Sequence, residues 1–183
     1  IALDANILAV NVSVAGSGQT AVGVALMGNV VANTVKASIV DGSTVLAGIN
    51  PVNGGVLDSA SDVIVAGVSD AGIIAFSVGV GASGNTSVQA SGFGNVITNR
   101  TSALIDDSTV TSGGFMSLDA SDQSQIRSLA LSVAASGSVA VGVLVGANVI
   151  VNDVSAVISG STVTSRGALN VAAENDSDIL AFT

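Results

Sequence analysis

Ser17 to Asn33 reads SGQTAVGVALMGNVVAN, and the same phrase returns twice without a gap. It is SGNTSVQASGFGNVITN from Ser83 to Asn99 and SGSVAVGVLVGANVIVN from Ser136 to Asn152. Ser-Gly opens every copy and Asn-Val-x-x-Asn closes it. Downstream of each lies a second shared phrase, Ser43-Thr44-Val45, Ser108-Thr109-Val110 and Ser161-Thr162-Val163. Upstream sits an isoleucine, at Ile7, Ile73 and Ile126, and Ile179 opens a fourth copy. The chain is therefore an internal repeat, and architecture follows from the repeat before anything else.

Ile73 to Ile126 and Ile126 to Ile179 are each 53 residues apart, whereas Ile7 to Ile73 is 66. The units run roughly 7–72, 73–125 and 126–178, one array over 1–183. Of the 13 extra residues in the first unit, one falls near Val40-Asp41-Gly42. The other twelve fall within 46–61, which holds the only proline, Pro51, and the turn signal Asn53-Gly54-Gly55. This insertion is expected to be a loop or small hairpin bulging from a regular body.

The local pattern is that of strands. Val10-x-Val12-x-Val14, Phe76-x-Val78-x-Val80 and Val139-x-Val141-x-Val143 alternate with small residues at period two. Ser-Gly, Asp-Gly and Asn signals punctuate the chain every 6 to 10 residues, so the strands are expected to be short. Fifty-three is about three times 18, and about 18 residues make one turn of a β-solenoid. The expectation is an all-β parallel β-helix whose 53-residue unit is about three stacked coils. Ten coils about 4.8 Å apart would give a rod about 50 Å long. Valine would stand above valine and alanine above alanine, with small residues suiting a narrow interior. The paired asparagines Asn29/Asn33, Asn95/Asn99 and Asn148/Asn152 are placed at corners, where asparagine tolerates left-handed backbone.

Composition narrows the function classes. The chain is 49% hydrophobic but 2% aromatic, with no Cys, His, Trp or Tyr. Four Phe cannot supply the two aromatic girdles of a membrane barrel, and the longest apolar stretch, Val139 to Val151, is too short for a membrane helix. The expectation is a protein not embedded in a membrane. Thirteen acids against four bases give a charge of −9, and Lys36, Arg100, Arg127 and Arg166 form no patch, so nucleic acid is not expected.

Candidate sites are few. Asp106-Asp107 could be an acid–base or calcium pair, but the next repeat has Ser159-Gly160 there, which favours a solvated turn. Asp119, Asp122, Glu174, Asp176 and Asp178 could align across coils as oxygen ligands for Ca²⁺. The glycine-rich calcium nonapeptide is missing, so they read as a charged face. Serines are abundant, but without His the usual nucleophile–base pairs cannot form. Lys36 could form an isopeptide with an asparagine only as a lone exposed lysine. The Thr-x-Thr pairs Thr109/Thr111 and Thr162/Thr164 are too sparse for an ice-binding array, the first unit having Thr44 and Leu46. The sequons at Asn11, Asn85, Asn99 and Asn175 are near chance in such a chain. No catalytic, cofactor-binding or metal residue is assigned, and no cofactor.

The phrases NTVKASIVDGSTV (33–45), NRTSALIDDSTVTSGGFMSLDAS (99–121) and NDVSAVISGSTVTSRGALNVAAEN (152–175) resemble repeats of very large bacterial surface exoproteins. These are the filamentous haemagglutinin-like and leukotoxin-type filamentous adhesins of Gram-negative bacteria. The resemblance covers nearly the whole chain except 46–61. It implies a right-handed parallel β-helix shaft, secretion across an outer membrane to the cell surface, and a role in adhesion or filament building. No enzyme is expected, because no residue set is able to do chemistry. It transfers no functional residues. A glycan- or Ca²⁺-binding module of a surface adhesin or toxin is the alternative. Both ends read as repeat without a cap, so the partners expected are more of the same chain or a second copy stacked head to tail, with host or surface glycans as further candidates.

Overall fold

The computed structural model describes residues 1–183, with ten strands and no helix. Accordingly, no helix is long and apolar enough to cross a membrane. Every ladder is parallel. One sheet (A) holds β1 (Ala2–Ser17), β4 (Val63–Ser83), β7 (Met116–Ser136) and β10 (Leu169–Phe182) in that order. A second (B) holds β2 (Thr20–Ile39), β5 (Thr86–Asp106) and β8 (Val139–Ser159). The third (C) holds the four-residue strands β3 (Thr44–Ala47), β6 (Thr109–Ser112) and β9 (Thr162–Ser165). This is a parallel β-solenoid, the fold class the repeat implies.

The threefold division of each repeat is real, but the three parts follow one another around the axis. Ile73 pairs with Ile126, and Thr109 with Thr162, so a ladder partner lies one whole repeat away. One 53-residue unit is thus one wide coil with a strand in each sheet, not three narrow coils on top of one another. The array is three full coils and part of a fourth, where about ten were expected. Along the axis it is thin, but a 21-residue strand spans about 70 Å across it. The expectation failed because glycine and serine inside a strand look like turn signals. Here the ladder carries the backbone through them, as in SVQASGFGN of β5.

Each coil runs out along sheet A, reverses in an arch (Gly18-Gln19, Gly84-Asn85, Gly137-Ser138) and returns along sheet B. It then closes through sheet C. The Ser-Gly opening each phrase is the arch itself. A Cβ on Gly84 would run into the Gly18 carbonyl, and one on Gly137 into that of Gly84. Only glycine lets arches stack at ladder spacing, and Gly84→Ala is expected to cost about 1–3 kcal/mol in a urea titration. An unchanged midpoint would contradict the stacked-arch geometry.

The corners with left-handed backbone lie elsewhere than expected. They are at Asp41 (φ 61°), Gly42, Asp107 (φ 45°) and Gly160, between sheets B and C. The asparagines are not corner residues; all six sit mid-strand and point inward. The single additional residue of the first unit falls at this corner, since Ile39 pairs with Ile105 but Thr44 with Thr109. The twelve others fall between β3 and β4, where Ile49 bridges Val56 in a small antiparallel pair.

The interior changes character along the strands. Near sheet C it is apolar, with Val63, Val65, Ile105, Val110, Met116 and Leu118 packed together. A second cluster, Val31, Ala71, Ile73, Ala75, Ile97 and Ile126, fills the middle. Towards the arch the inward residues become mostly small or polar: Ser77, Gly79, Ser87, Gln89 and Ser91 are buried there, with Ala21, Ala25, Ala130 and the one large side chain Phe93 among them. The outer faces change in the opposite sense. Val10, Val12, Val14, Val22, Val24 and Leu26 all point to solvent and are more than half exposed. The arch half is therefore inside-out relative to the half that carries the core.

Candidate functional site

The densest set of functional side chains lies inside, between the two apolar clusters. Asn33, Asn99 and Asn152 stack across the coils on sheet B. Each backbone N–H donates to the next side chain down, Asn33 to Asn99 Oδ1 (3.3 Å) and Asn99 to Asn152 Oδ1 (3.3 Å). Facing them from sheet A are Asp122 and Ser124. Asn99 Nδ2 donates to Asp122 Oδ2 (3.0 Å) and to Ser124 Oγ (3.1 Å). Ser124 Oγ donates to Asp122 Oδ1 (2.6 Å), and Asn152 Nδ2 donates to the same oxygen. Asn152 also reaches Asn175 Oδ1 and Ser177 Oγ of the fourth coil, both at 3.2 Å.

A second asparagine column runs parallel to this one. Asn29 Nδ2 donates to Asn95 Oδ1, Asn95 Nδ2 to Asn148 Oδ1, and Asn148 Nδ2 to Ser128 Oγ, each at 2.8 Å. An amide carries both donor and acceptor, so a column of identical amides pairs with itself at any length. The Asn-Val-x-x-Asn signature puts two such columns on one inward face, four residues apart.

The five acids considered for calcium are not brought together. Asp122 is fully buried, and its oxygens are taken by the amides and Ser124; it does not belong to a charged face. Asp119, Glu174, Asp176 and Asp178 lie on the outer face of sheet A. Asp119 accepts from Asn170 Nδ2 (3.0 Å) and Ser117 Oγ. Asp176 and Asp178 share a shallow groove of about 300 Å³ with Asp70, Gln123 and Gln125. No three acids stand close enough to hold a metal ion.

Asp106 and Asp107 point apart. Asp106 leaves the outer face of sheet B and accepts from Ser159 Oγ, while Asp107 makes the corner. Lys36 projects from that outer face, whereas the asparagine columns line the inside, so no amide stands against its amine. Of the sequon residues, Asn11 donates to the Leu26 carbonyl (2.8 Å) and Asn99 is buried. Arg100 makes the one ion pair, to Asp153 at 3.2 Å, with both side chains mostly exposed.

One acid has a shifted titration. In the insertion, the Ala60 N–H donates to Asp58 Oδ1 (2.9 Å) and Ser61 Oγ to Oδ2 (2.8 Å), which hold the Asp58 carboxyl below the ordinary aspartate range. A depressed folded value adds stability above the unfolded pKa, and that is lost as pH falls through the folded value. The insertion is therefore expected to loosen only at strongly acidic pH. NMR titration should give Asp58 a lower midpoint in the folded chain than in the urea-unfolded one; equal midpoints would refute the turn.

The sequence and fold match no protein family, no curated protein and no solved structure.

Proposed function

We propose that this chain is a shaft segment of a secreted, adhesin-like bacterial surface protein, serving as a stiff spacer or filament body. One observation carries the reading: like side chains stand above like, coil after coil. Ile7, Ile73, Ile126 and Ile179 form one column, and the two asparagine columns and Thr44, Thr109, Thr162 form others. Such stacking makes each coil a template for the next, and stability grows by nearest-neighbour contacts rather than around one closed core. The polar box is spent on itself, Asp122 on Asn99, Asn152 and Ser124, and Asn29, Asn95 and Asn148 on one another, while Asn33 Nδ2, Gln89 Oε1 and Thr101 Oγ1 stay buried without a partner. The same ladder accepts a further coil, from the same polypeptide or a second copy. The resemblance of the repeat phrases to filamentous adhesins supports the surface location.

The test is immunogold electron microscopy of cells that naturally make the protein, with antibodies raised against these 183 residues. Labelling of intact cells, displaced outward from the envelope, is the expected result. Label that enters only after permeabilisation would overturn the reading.

A further inference from the structure

The inverted half of the molecule carries one charge, Arg127 at its border beside Phe76 and Leu129. Ala5 to Val35, Ala71 to Asn99 and Ser128 to Asn152 contain no Asp, Glu, Lys or Arg, so the other sixteen charges lie towards sheet C. On the outer face of sheet A, the rows Val10–Phe76–Leu129–Phe182, Val12–Val78–Leu131 and Val14–Val80–Val133 form one apolar surface. The outer face of sheet B matches it from the other side, with Val22–Val88–Val141, Val24–Ala90–Val143 and Val30–Val96–Val149. Two apolar faces lie back to back, at the same distance from the arch.

We propose that the outer face of sheet A docks on the outer face of sheet B of a second copy, in the same orientation, so that shafts associate side by side. A translation perpendicular to the sheets places apolar half on apolar half, about 10 Å apart as in stacked sheets generally. It also brings the charged halves together. Face A bears Asp4, Asp70, Asp119, Glu174, Asp176 and Asp178 against the single base Arg127, whereas face B is balanced, Lys36 and Arg100 standing with Asp106 and Asp153, the last paired with Arg100. Arg100 and Asp70 are roughly level along the strands. Overlap of three or four strands over about 20 residues covers roughly 1,000 Å² per copy, hence about 2,000 Å² in total, enough for a stable interface. The apolar half alone, about 400 Å² per copy, would fall short.

Two other occupants fit less well. Face A against face A would set the acidic rows against each other and leave face B bare. A lipid interior would cover both apolar faces. It would also set the charge of Arg127, which shares a groove with Phe76, Leu129 and Phe182, against hydrocarbon. The A-on-B contact is heterologous and does not close, so it builds an open lateral array. This inference stands apart from the surface location proposed above.

Sedimentation velocity of the 183-residue chain over about 1–100 µM tests it. The wild type is expected to grow in mass with concentration without a fixed end point. Val12→Lys with Leu131→Lys blocks face A, and Val24→Lys with Val143→Lys blocks face B; all four side chains are exposed and touch no core. Each blocked variant alone should be monomeric, its association weakened about 100-fold or more by the buried charge. Mixed one to one, they should form a dimer and nothing larger, because each supplies the face the other lacks. Circular dichroism checks that the variants fold; if lysine disturbs the strands, threonine at the same positions takes its place. A monomeric wild type, a face-B variant that dimerises by itself, or an assembly untouched by either pair would each overturn the proposal. So would binding to phosphatidylcholine vesicles in place of self-association.

Discussion

Asp122→Ala is expected to lower the free energy of unfolding by about 3–5 kcal/mol, more than most single substitutions. The carboxylate is fully buried and accepts from Asn99, Asn152 and Ser124. Alanine leaves Ser124 Oγ without an acceptor. It also takes one acceptor each from Asn99, which keeps Ser124 Oγ, and from Asn152, which keeps Ser124, Asn175 and Ser177. Each buried donor hydrogen left unmet costs about 1–3 kcal/mol. Part of this is recovered, because the charge no longer has to be held away from water, and no Lys or Arg compensates it here. The orphaned donors outweigh that gain, since the carboxylate already satisfies its oxygens. Asp122→Asn keeps the shape and one acceptor but turns an NH₂ towards other donors, so its cost should be smaller, about 1–2 kcal/mol. Urea denaturation of the three proteins decides the matter. An alanine variant as stable as the wild type would mean that the polar box contributes nothing.

A larger effect is expected at Ile73, and a much smaller one at its neighbour. Ile73 is fully buried, stacked between Ile7 and Ile126 in the middle cluster with Ile97. Ile73→Asp puts a carboxylate among aliphatic side chains. At about 5 kcal/mol or more, that is comparable with the whole stability of a small domain. The variant should show no cooperative β melt by circular dichroism at neutral pH. Ile74→Asp is one residue away on the outer face, 41% exposed, and should change stability by about 1 kcal/mol or less. The pair reads directly which parity of β4 faces in. Equal tolerance of both substitutions would show that the two sheets do not enclose the interior described here.

How much of this was legible beforehand differs from feature to feature. The repeat, its 53-residue period, the parallel stacking and the places of the insertions all come from matching Ile7, Ile73, Ile126 and Ile179 and the Ser-Thr-Val phrases. They are legible because in-register ladders demand like residues at a fixed offset. The coil size was not, because a period states how far apart partners are and not how many turns lie between them. The asparagines were visible as a signature but misplaced. Asparagine serves equally at a left-handed corner and in an amide column, and only the pairing of Asn99 with Asn152 one coil away selects the second.

An all-β stack of like upon like, a nearly uncharged half in every unit, and a polar inventory lacking histidine and cysteine follow from the order of residues alone. Tertiary structure decided the facing. A strand has period two, so over the 21 residues of β4 one choice of parity is imposed from end to end. Near sheet C and in the middle, that choice is set by Val63, Val65 and Ile73, which are buried between the sheets. Past Ile73 the apolar residues change parity, to Ile74, Phe76, Val78 and Val80, but the backbone cannot change with them. They are carried outward, and Ser77 and Gly79 are carried in. Alternation marks both arrangements identically, and only the packing of one half against its partner sheet tells which residues meet water.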